Sequence, residues 1–529
     1  MEEKDVLELV PVSEVPEGVK ALETMWRYQL KTDDLGNICR YRSRLCARGD
    51  KEVPGIDFNI LETFSPVARM ASVRLLVALC MILQLEAFQC DINTAYLNAR
   101  LKKVHFIRRV AGFPLKPGWV YKVKNALYGL HESGHEWYEE LHAWLSGKGW
   151  QRSATEPCLY FYSEGGTVAL VLVYVDDVIC ATNNERWKEQ FFADLNKKYG
   201  IKDLGRLHNY LGVQVDWMED GVILHQTKYA QEILERFGFG GAIGCRSPMD
   251  TTVKLRAASE GDKEPGLPYR EAVGALMYLA TSTRPDLAFP VGYLSRFVQN
   301  KQRPFCAKLS VAHAGALKRV LRYLAATTIH GVFFQQQDYN NDEVVTINGY
   351  VDADWGNCPD TRKSVSRYVM LMAGGPIAWA ARRQSIVALS TAEAEYAAAC
   401  EACQEGQSIK NILTEVRGVE FTLGIDNQAA ITLATRPTYS RKTRHIELQL
   451  HYVREMVRQK AVELQKVDGA ENPVDLLTKP MGHLRLGKMK EIMGMQPRFS
   501  PTQREMERHR YYEVKQERST CDEQFRDEF

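Results

Sequence analysis

The chain has 529 residues, a formal net charge of +2 and a hydrophobic content of 45%. This length predicts several domains, and this composition is typical of globular proteins rather than of disordered chains. No apolar run reaches the ~20 residues that a membrane-spanning helix needs, so we expect no membrane contact. Because the net charge is close to zero, any nucleic-acid binding must depend on local basic patches.

Two strands are predicted near the N-terminus, over 26–31 and 40–49, on either side of a turn at 33–37. Four arginines of the second strand share one face at a period of two residues: Arg40, Arg42, Arg44 and Arg48. A solvated face of a sheet would explain them. Because no acid stands between them, we favour a surface that binds phosphates.

A buried β-hairpin with an acidic tip is predicted over 168–181, where short apolar runs flank Asp176 and Asp177. The two carboxylates repel each other, and burial raises the cost of ionising both. A magnesium ion would remove this conflict, because it prefers carboxylate oxygens as ligands. A solvated turn, in which Asp is common, is the alternative.

A third carboxylate is needed for such a metal site, and Asp91 is the candidate. A helix is predicted over 69–85, followed by a strand that ends at Asp91 and a short turn that carries Tyr96. Local structure cannot bring Asp91 to a tip 85 residues away, at Asp176, but a shared sheet can.

The second half of the chain begins with a polar linker at 246–268, rich in Pro and Gly, and two helical segments at 269–297 and 307–324. From 344 the pattern changes to a compact α/β unit. Its predicted elements are strands at 344–351, 368–373 and 377–380, a helix at 390–403, a strand at 421–425 that ends at Asp426, a helix at 445–460, a strand at 461–467 and a final helix that begins at 472–479. This order of elements is that of the ribonuclease H fold.

Motifs along most of the chain resemble those of the reverse transcriptase and ribonuclease H region of Pol from copia-type LTR retrotransposons. In the first half they are YRSRLCARG (41–49), ETFSPVAR (62–69), QCDINTAYLN (89–98), ALYGL (126–130), PCLY (157–160) and YVDD (174–177). In the second half they are GYVDADW (349–355), STAEAEY (390–396), DNQAA (426–430) and NPVDLLTKP (472–480). The motifs occur in the order of the family, so the resemblance is specific.

The resemblance implies an α/β and α+β multidomain fold. It places the fingers, palm and thumb of a right-hand polymerase at 1–245, a linker and helical connection at 246–340, and a ribonuclease H-like domain at 341–485. We expect the remaining residues, 486–529, to form a flexible charged tail or a frayed helix.

For the polymerase, the resemblance implies a catalytic triad that ligates two Mg²⁺ ions, with Mn²⁺ as a substitute: Asp91, Asp176 and Asp177. Tyr96 would lie beneath the sugar of the incoming nucleotide and exclude a 2′-hydroxyl, with packing in the palm core as its alternative role. Arg42 and Arg44 would lie on the fingers strand that contacts the phosphates of the nucleotide. Which of the two makes that contact stays open.

For the ribonuclease H-like domain, the resemblance implies a second catalytic set that holds two metal ions: Asp352, Glu395, Asp426 and Asp475. Glu393 competes with Glu395, but residues two apart on a helix are rotated by about 200° and cannot both face the site. We choose Glu395 because Ala-Glu-Tyr leading into the helix fits the retroviral pattern better. Asp354 competes with Asp352, which we choose because it directly follows the strand.

One stretch departs from the family pattern. Where relatives usually read Lys-Gln-Ala-Pro-Arg-Ala-Trp, residues 131–137 read HESGHEW. This change removes basic residues and adds Glu132 and Glu136 close to the expected path of template and nucleotide. His131 and His135 also have a helical spacing suited to a metal ion, although no third ligand is evident.

The predicted function is that of an RNA-directed DNA polymerase with a fused ribonuclease H. The alternative is a catalytically decayed relic that still folds and binds nucleic acid. The expected partners are an RNA template, a DNA primer, an RNA–DNA hybrid and dNTPs, together with a dimer partner or with integrase and capsid. The expected location is a cytoplasmic virus-like particle, and then the nucleus with the integration complex.

Overall fold

The structure is a computed structural model that describes residues 4–32, 38–253, 255–256, 266–298, 309–338, 344–356, 358, 361–435 and 447–498. The chain divides into two compact units. The first comprises Met1–Leu207, Gln337–Val345 and Ser408–Val419, and the second comprises His208–Gln336, Thr346–Gln407 and Glu420–Phe529.

The first unit carries two antiparallel sheets and a two-stranded hairpin. Its strands are β1 (Leu7–Pro11), β2 (Thr24–Thr32), β3 (Ile38–Ala47), β4 (Glu86–Ile92), β5 (Arg100–Ile107), β6 (Trp119–Asn125), β7 (Gln151–Arg152), β8 (Leu159–Glu164), β9 (Thr167–Tyr174), β10 (Asp177–Thr182) and β11 (Ile201–Arg206). Its helices are α1 (Met70–Leu83), α2 (Ser133–Gly147) and α3 (Glu185–Tyr199).

The palm sheet has six strands in the order β11-β4-β10-β9-β8-β7. Its central strands β9 and β10 are buried almost throughout, which agrees with their continuous apolar sequences. Apolar side chains of α2 and α3, among them Trp137 and Phe191, pack with Val171 and Cys180 of the sheet in one buried cluster. Helix α1 is also largely buried and packs against β4 and β9. The predicted hairpin, helix and strand around the acidic tip are therefore confirmed.

The fingers hairpin consists of β2 and β3, which pair antiparallel as predicted, while the predicted turn at 33–37 lies outside the described residues. The expectation that Arg48 shares the strand face of the other arginines is wrong. Strand β3 ends at Ala47, and Arg48 turns away to form a bidentate ion pair with Asp50, with both N–O distances at 2.7 Å.

The remaining sheets and helices lie wholly or mostly in the second unit; only Val345, Ser408–Thr414 and Val419 of these elements are counted with the first. The strands are β12 (Asn209–Tyr210), β13 (Val213–Trp217), β14 (Gly221–His225), β15 (His330–Gln335), β16 (Val345–Asp354), β17 (Val365–Met372), β18 (Gly375–Arg383), β19 (Val419–Ile425), β20 (Glu463–Lys466) and β21 (Met495–Pro497). The helices are α4 (Thr227–Arg236), α5 (Tyr269–Ser282), α6 (Ala288–Ser295), α7 (Val311–Ala326), α8 (Thr391–Thr414), α9 (Gln428–Thr435), α10 (Glu447–Arg458) and α11 (His483–Ile492).

The ribonuclease H-like sheet has the strand order β18-β17-β16-β19-β20, so in its own numbering the order is 3-2-1-4-5. The first three strands pair antiparallel, whereas β19 and β20 pair parallel. The other sheet of this unit, β12-β13-β14-β15-β21, joins strands from distant parts of the chain. The predicted fold class, a multidomain α/β and α+β fold with a ribonuclease H-like domain, is confirmed.

Three predicted elements differ from the structure. The helix expected to begin at 472–479 is a 3-10 turn at Pro473–Leu477, and the α-helix begins only at His483. The helical segment expected over 269–297 is interrupted by a 3-10 turn at Pro285–Leu287, because proline lacks an N–H and disfavours a helical residue before it. The charged tail expected from 486 starts inside α11. Residues of that helix are buried, and β21 adds to β15 through pairs such as Val332 with Met495. The rest of the expected tail, 499–529, lies outside the described residues.

No helix within the described ranges combines the length and the apolar character that a membrane span requires.

Candidate active sites

The acidic hairpin tip is a two-residue turn. Tyr174 pairs with Asp177 across β9 and β10, which leaves Val175 and Asp176 to make the turn. Val175 has a φ of +58°, and a β-branched residue in this region stores strain of roughly 1–3 kcal/mol. The Trp137 indole N–H donates to the Val175 carbonyl at 2.7 Å. The palm core thus holds a strained turn that presents Asp176.

Asp91 lies beside this tip, as predicted. It is the cross-strand partner of Asp177, and the adjacent Ile92 N–H donates to the Asp176 carbonyl at 2.8 Å. Burial raises the pKa of the Asp176 carboxyl, and the charge of Asp91 adds to the rise. Three acids at one end of a buried sheet fit a divalent cation, which would remove both penalties.

A cavity of about 500 Å³ adjoins the acidic tip. Its polar and aromatic lining includes Arg27, Arg44, Tyr96, Tyr128, Tyr174 and Asp176. Tyr96 is half-buried, and its ring lies 5.0 Å from that of Tyr128. Burial raises the pKa of the Tyr96 hydroxyl, and the charge of Asp176 adds to the rise. Tyr96 therefore lines the cavity together with Asp176 of the acidic tip.

The β2–β3 hairpin contributes two arginines to this cavity, and one of them, Arg44, is among the two candidates that the sequence left open. Arg27 of β2 is the cross-strand partner of Arg44 of β3, and both line the cavity. Arg42 pairs with Gln29, two residues farther along the hairpin, and is not among the lining residues. Its charge still acts on Asp176. Sequence reasoning missed Arg27, because the register that sets it opposite Arg44 depends on the turn between the strands.

Gly129 lines the cavity and allows a close backbone contact there. Its φ of +98° is unfavourable for other residues, and a Cβ there would lie 2.2 Å from the Ala47 carbonyl oxygen. The Ala47 N–H in turn donates to the Tyr128 carbonyl at 2.7 Å. The glycine of the ALYGL motif therefore allows close contact between the end of β3 and the segment that carries Tyr128.

The two acids that the departure at 131–137 introduces are buried, each near a basic side chain. Glu132 is buried 3.7 Å from the His105 ring, and Glu136 is buried with Lys102 at 3.7 Å. His131 precedes α2 and contacts Glu52 at 2.5 Å. Because His131 lies outside the helix, it does not share a helical face with His135, and the spacing argument for a metal site fails.

The second acidic site brings three of its four predicted members together. Asp352 of β16, Glu395 in the first turns of α8 and Asp426 at the end of β19 offer carboxylate oxygens that all lie within 4.8 Å of one another. Within the described residues, no other set of acids, His or Cys meets this distance. The carboxylates of Asp91, Asp176 and Asp177 therefore do not meet it either.

The electrostatics of this cluster fit a divalent cation. Burial, together with the charges of Asp352 and Asp426, raises the pKa of Glu395 to about 9. One carboxylate oxygen of Asp352 and one of Glu395 are buried without a hydrogen-bond partner in the described part of the chain. Orphaned buried oxygens with excess negative charge are the donor set that a hard cation takes.

Asp475 stands at the edge of this cluster. It lies on a 3-10 turn, Pro473–Leu477, and its carboxylate pairs with Lys479 at 2.7 Å and with Arg485. It acts on Asp426 through its charge, which adds to the raised pKa of that residue. The side chains of Lys479 and Arg485 thus neutralise the Asp475 carboxylate, which explains why it lies apart from the other three acids.

The competing acids have other partners. Glu393 accepts a hydrogen bond from the Leu389 N–H at 2.7 Å, which secures the start of its own helix. Asp354 forms a buried ion pair with Arg367 at 3.0 Å and accepts from the Val365 N–H. The geometry groups Asp352 and Glu395 in the cluster and leaves Glu393 and Asp354 outside it.

Comparisons with known proteins agree with this architecture. Residues 6–251 match the family described as reverse transcriptase (RNA-dependent DNA polymerase). The retrovirus-related Pol polyprotein from transposon TNT 1-94 of Nicotiana tabacum is 34% identical over 91% of this chain and 36% of its own length. That from transposon RE1 of Arabidopsis thaliana is 31% identical over 88% of this chain and 31% of its own length.

The chain spans about a third of the length of these two polyproteins. Among solved structures, a foamy viral protease-reverse transcriptase in complex with dsDNA aligns with a TM-score of 0.43 and 13% identity, over 87% of this chain and 79% of that one. Residues 6–251 therefore match the reverse transcriptase family, and the relatives of the chain include Pol proteins of copia-type retrotransposons.

Proposed function

We propose that this chain is an RNA-directed DNA polymerase with a fused ribonuclease H, which copies retrotransposon RNA into DNA and degrades the RNA of the resulting hybrid. The observation that carries the proposal is the register of the palm sheet, which sets Asp91 opposite Asp177 and beside Asp176. The partners are then an RNA template, a DNA primer, an RNA–DNA hybrid and dNTPs.

In the polymerase site, Asp91 and Asp176 hold Mg²⁺, or Mn²⁺ in its place, with Asp177 as a further ligand. Bound there, two metal ions would lower the pKa of the primer 3′-hydroxyl and neutralise charge on the leaving pyrophosphate. Arg27 and Arg44 bind the triphosphate across the cavity, since guanidinium groups match phosphate oxygens.

Tyr96 selects the sugar. Its ring contacts that of Tyr128, and it lines the cavity together with Asp176, which supports a role beneath the ribose of the incoming nucleotide. A 2′-hydroxyl would meet the ring, so dNTPs are accepted and rNTPs are rejected.

In the ribonuclease H site, Asp352, Glu395 and Asp426 hold the metal ions, with Asp475 at the edge. Bound metal supplies an activated water and stabilises the leaving 3′-oxyanion of the RNA. Glu395 keeps its proton near neutral pH until a cation binds, because its pKa is about 9 without one.

The alternative, a decayed relic, depends on the acids introduced at 131–137. Glu132 and Glu136 are buried and are not among the residues that line the cavity. This position favours an active enzyme. We further propose that the protein acts in a cytoplasmic virus-like particle, as a dimer or with integrase and capsid, and enters the nucleus with the integration complex.

Primer extension on an RNA template with Mg²⁺ tests the polymerase. We expect Asp176→Asn to abolish incorporation, while Asp194→Asn, an exposed acid paired with Lys148, leaves it unchanged. Cleavage of a labelled RNA–DNA hybrid tests the nuclease in the same way with Asp426→Asn. Equal activity of the active-site variants and the natural chain would refute the site assignments, and no activity in any protein would support the relic.

A further inference from the structure

A second cavity, of about 480 Å³, lies within the second unit, where α5 and α6 face β17 and β18. It includes none of the acids of the two proposed active sites. Its lining combines three arginines with three aromatic residues: Arg296, Arg367, Arg383, Phe289, Tyr293 and Trp379. This volume is within the range of about 300–1,000 Å³ that is usual for small-ligand sites.

Positive charge at this cavity exceeds negative charge. Arg367 is 1% exposed and pairs with Asp354 at 3.0 Å. Arg296 faces the same Asp354, and its guanidinium lies 5.2 Å from the centre of the Tyr293 ring. In the described ranges, no carboxylate lies within ion-pair distance of Arg296 or Arg383. Two of the three guanidinium groups, those of Arg296 and Arg367, therefore share one carboxylate.

A buried donor is also left unused. The Nε of Arg367 is buried and makes no hydrogen bond to any described residue. Burial of a charged donor without an acceptor is unfavourable. An anion in the cavity would offset the charge of all three guanidinium groups.

We propose that this cavity binds a nucleotide through its phosphate. Guanidinium groups present paired N–H donors that match phosphate oxygens, and the rings of Phe289, Tyr293 and Trp379 offer faces on which a base can stack. The phosphate can belong to a free nucleotide or to the unpaired end of a nucleic-acid strand, since both present the same chemistry. The site is independent of the proposed polymerase and nuclease activities.

Binding of dAMP to the full chain in EDTA, measured by calorimetry, tests the proposal. We expect one dAMP bound, weaker binding of deoxyadenosine, and a loss of at least about tenfold in affinity in Arg296→Ala and in Arg383→Ala, since a hydrogen bond to a charged group contributes about 1.5–3 kcal/mol. Arg382→Ala is the matched control. It removes the same charge one residue away, at the position paired with Ser366, where Arg382 acts on Glu401 instead.

A twelve-residue single-stranded DNA in the same titration separates the two sources. Binding of the oligonucleotide but not of dAMP, with the same dependence on Arg296 and Arg383, would assign the site to a strand end. Protection of Arg296 and Arg383 from phenylglyoxal by dAMP or by the oligonucleotide gives a readout on the natural chain that does not depend on variants. The proposal would be overturned if the natural chain and all three variants bound the probe with equal affinity. It would also be overturned if neither probe bound, or if neither protected the two arginines.

Discussion

Asp177 of β10 lies directly opposite Asp91 of β4, although the two residues are 86 positions apart in the chain. Like charges at paired positions of an antiparallel sheet are destabilising, by roughly 0.2–1 kcal/mol. Burial of the neighbouring Asp176 adds to this cost, as its raised pKa shows. A cation bound by these acids would neutralise their charges and remove this cost. This binding is the physical basis of the proposed polymerase activity.

Arg27 is expected to bind the triphosphate more directly than Arg42. Because Arg27 and Arg44 line the cavity and Arg42 does not, Arg27→Ala should raise the KM for dNTP by roughly 10- to 100-fold, the loss of a hydrogen bond to a charged group. Arg42→Ala, the matched control on the same hairpin face, should raise it less. Steady-state primer extension measures both, and a larger effect of Arg42→Ala would contradict the assignment.

Tyr96 is expected to exclude ribonucleotides. Replacement by Val removes the ring beneath the sugar, so Tyr96→Val should raise the ratio of rNTP to dNTP incorporation by about tenfold or more. Tyr96→Phe keeps the ring and should leave the ratio unchanged. Single-nucleotide incorporation with matched rNTP and dNTP gives the ratio. An unchanged ratio in Tyr96→Val would show that the side chain only packs in the palm.

Glu395 makes the stability of the metal-free protein depend on pH. Its pKa is about 9 in the folded chain, against an ordinary value of 4.5, so between these values the folded state binds more protons than the unfolded state. Stability should therefore fall as pH rises from about 5 to 9. Melting curves in EDTA should show this decline, and Glu395→Gln should flatten it.

Magnesium should reverse the decline, because a ligand that binds only the folded state stabilises it. At pH 8, added Mg²⁺ should raise the Tm of the natural chain and have a smaller effect on Glu395→Gln. An equal rise in both proteins would show that Glu395 takes no part in metal binding.

We expect one buried ion pair to account for most of the unfolding free energy that the second unit loses at acid pH. Arg284 and Asp286 are both within 1% of full burial, 2.8 Å apart, and the Tyr323 hydroxyl donates to the same carboxylate. Burial alone would raise the pKa of Asp286, but the Arg284 guanidinium holds it at about 2. Asp286→Asn should cost about 3–5 kcal/mol of unfolding free energy, because it leaves a buried charge unpaired.

The sign of the pH effect follows from the lowered pKa. The stabilisation is present above the ordinary value near 4 and is lost as pH falls towards 2, and Asp286→Asn should lack this loss. Urea unfolding at pH 7 and pH 3 measures both effects. The exposed pair of Lys148 and Asp194 is the control, since Asp194→Asn should cost no more than about 1 kcal/mol.

The parts of the fold that the sequence predicts are those with strong local patterns. Apolar runs of strand length on both sides of Asp176 and Asp177 allow few structures other than a buried hairpin, and the strand before Asp91 has the same clarity. The order of strands and helices after 344 likewise indicates the ribonuclease H-like sheet. Distant motifs then predict which acids meet, because shared sheets bring strand ends together.

Details that depend on register and on tertiary partners were beyond the sequence. The pairing of Arg27 with Arg44 follows from the turn between two strands, and the compensation of Glu132 by His105 joins residues far apart in the chain. The separation of Asp475 from the acid cluster depends on Arg485 of α11, a helix that the charge pattern of the C-terminal segment does not reveal.

Iron-mediated cleavage of the backbone tests most directly whether Asp91 and the hairpin tip hold one metal ion. Fe²⁺ bound in place of Mg²⁺, with ascorbate and peroxide, cuts the chain near the bound ion. We expect cuts near both Asp91 and Asp176, and we expect Asp91→Asn to lose both sets of cuts. Cuts near only one of the two positions, or cuts at the tip that persist in Asp91→Asn, would contradict this expectation.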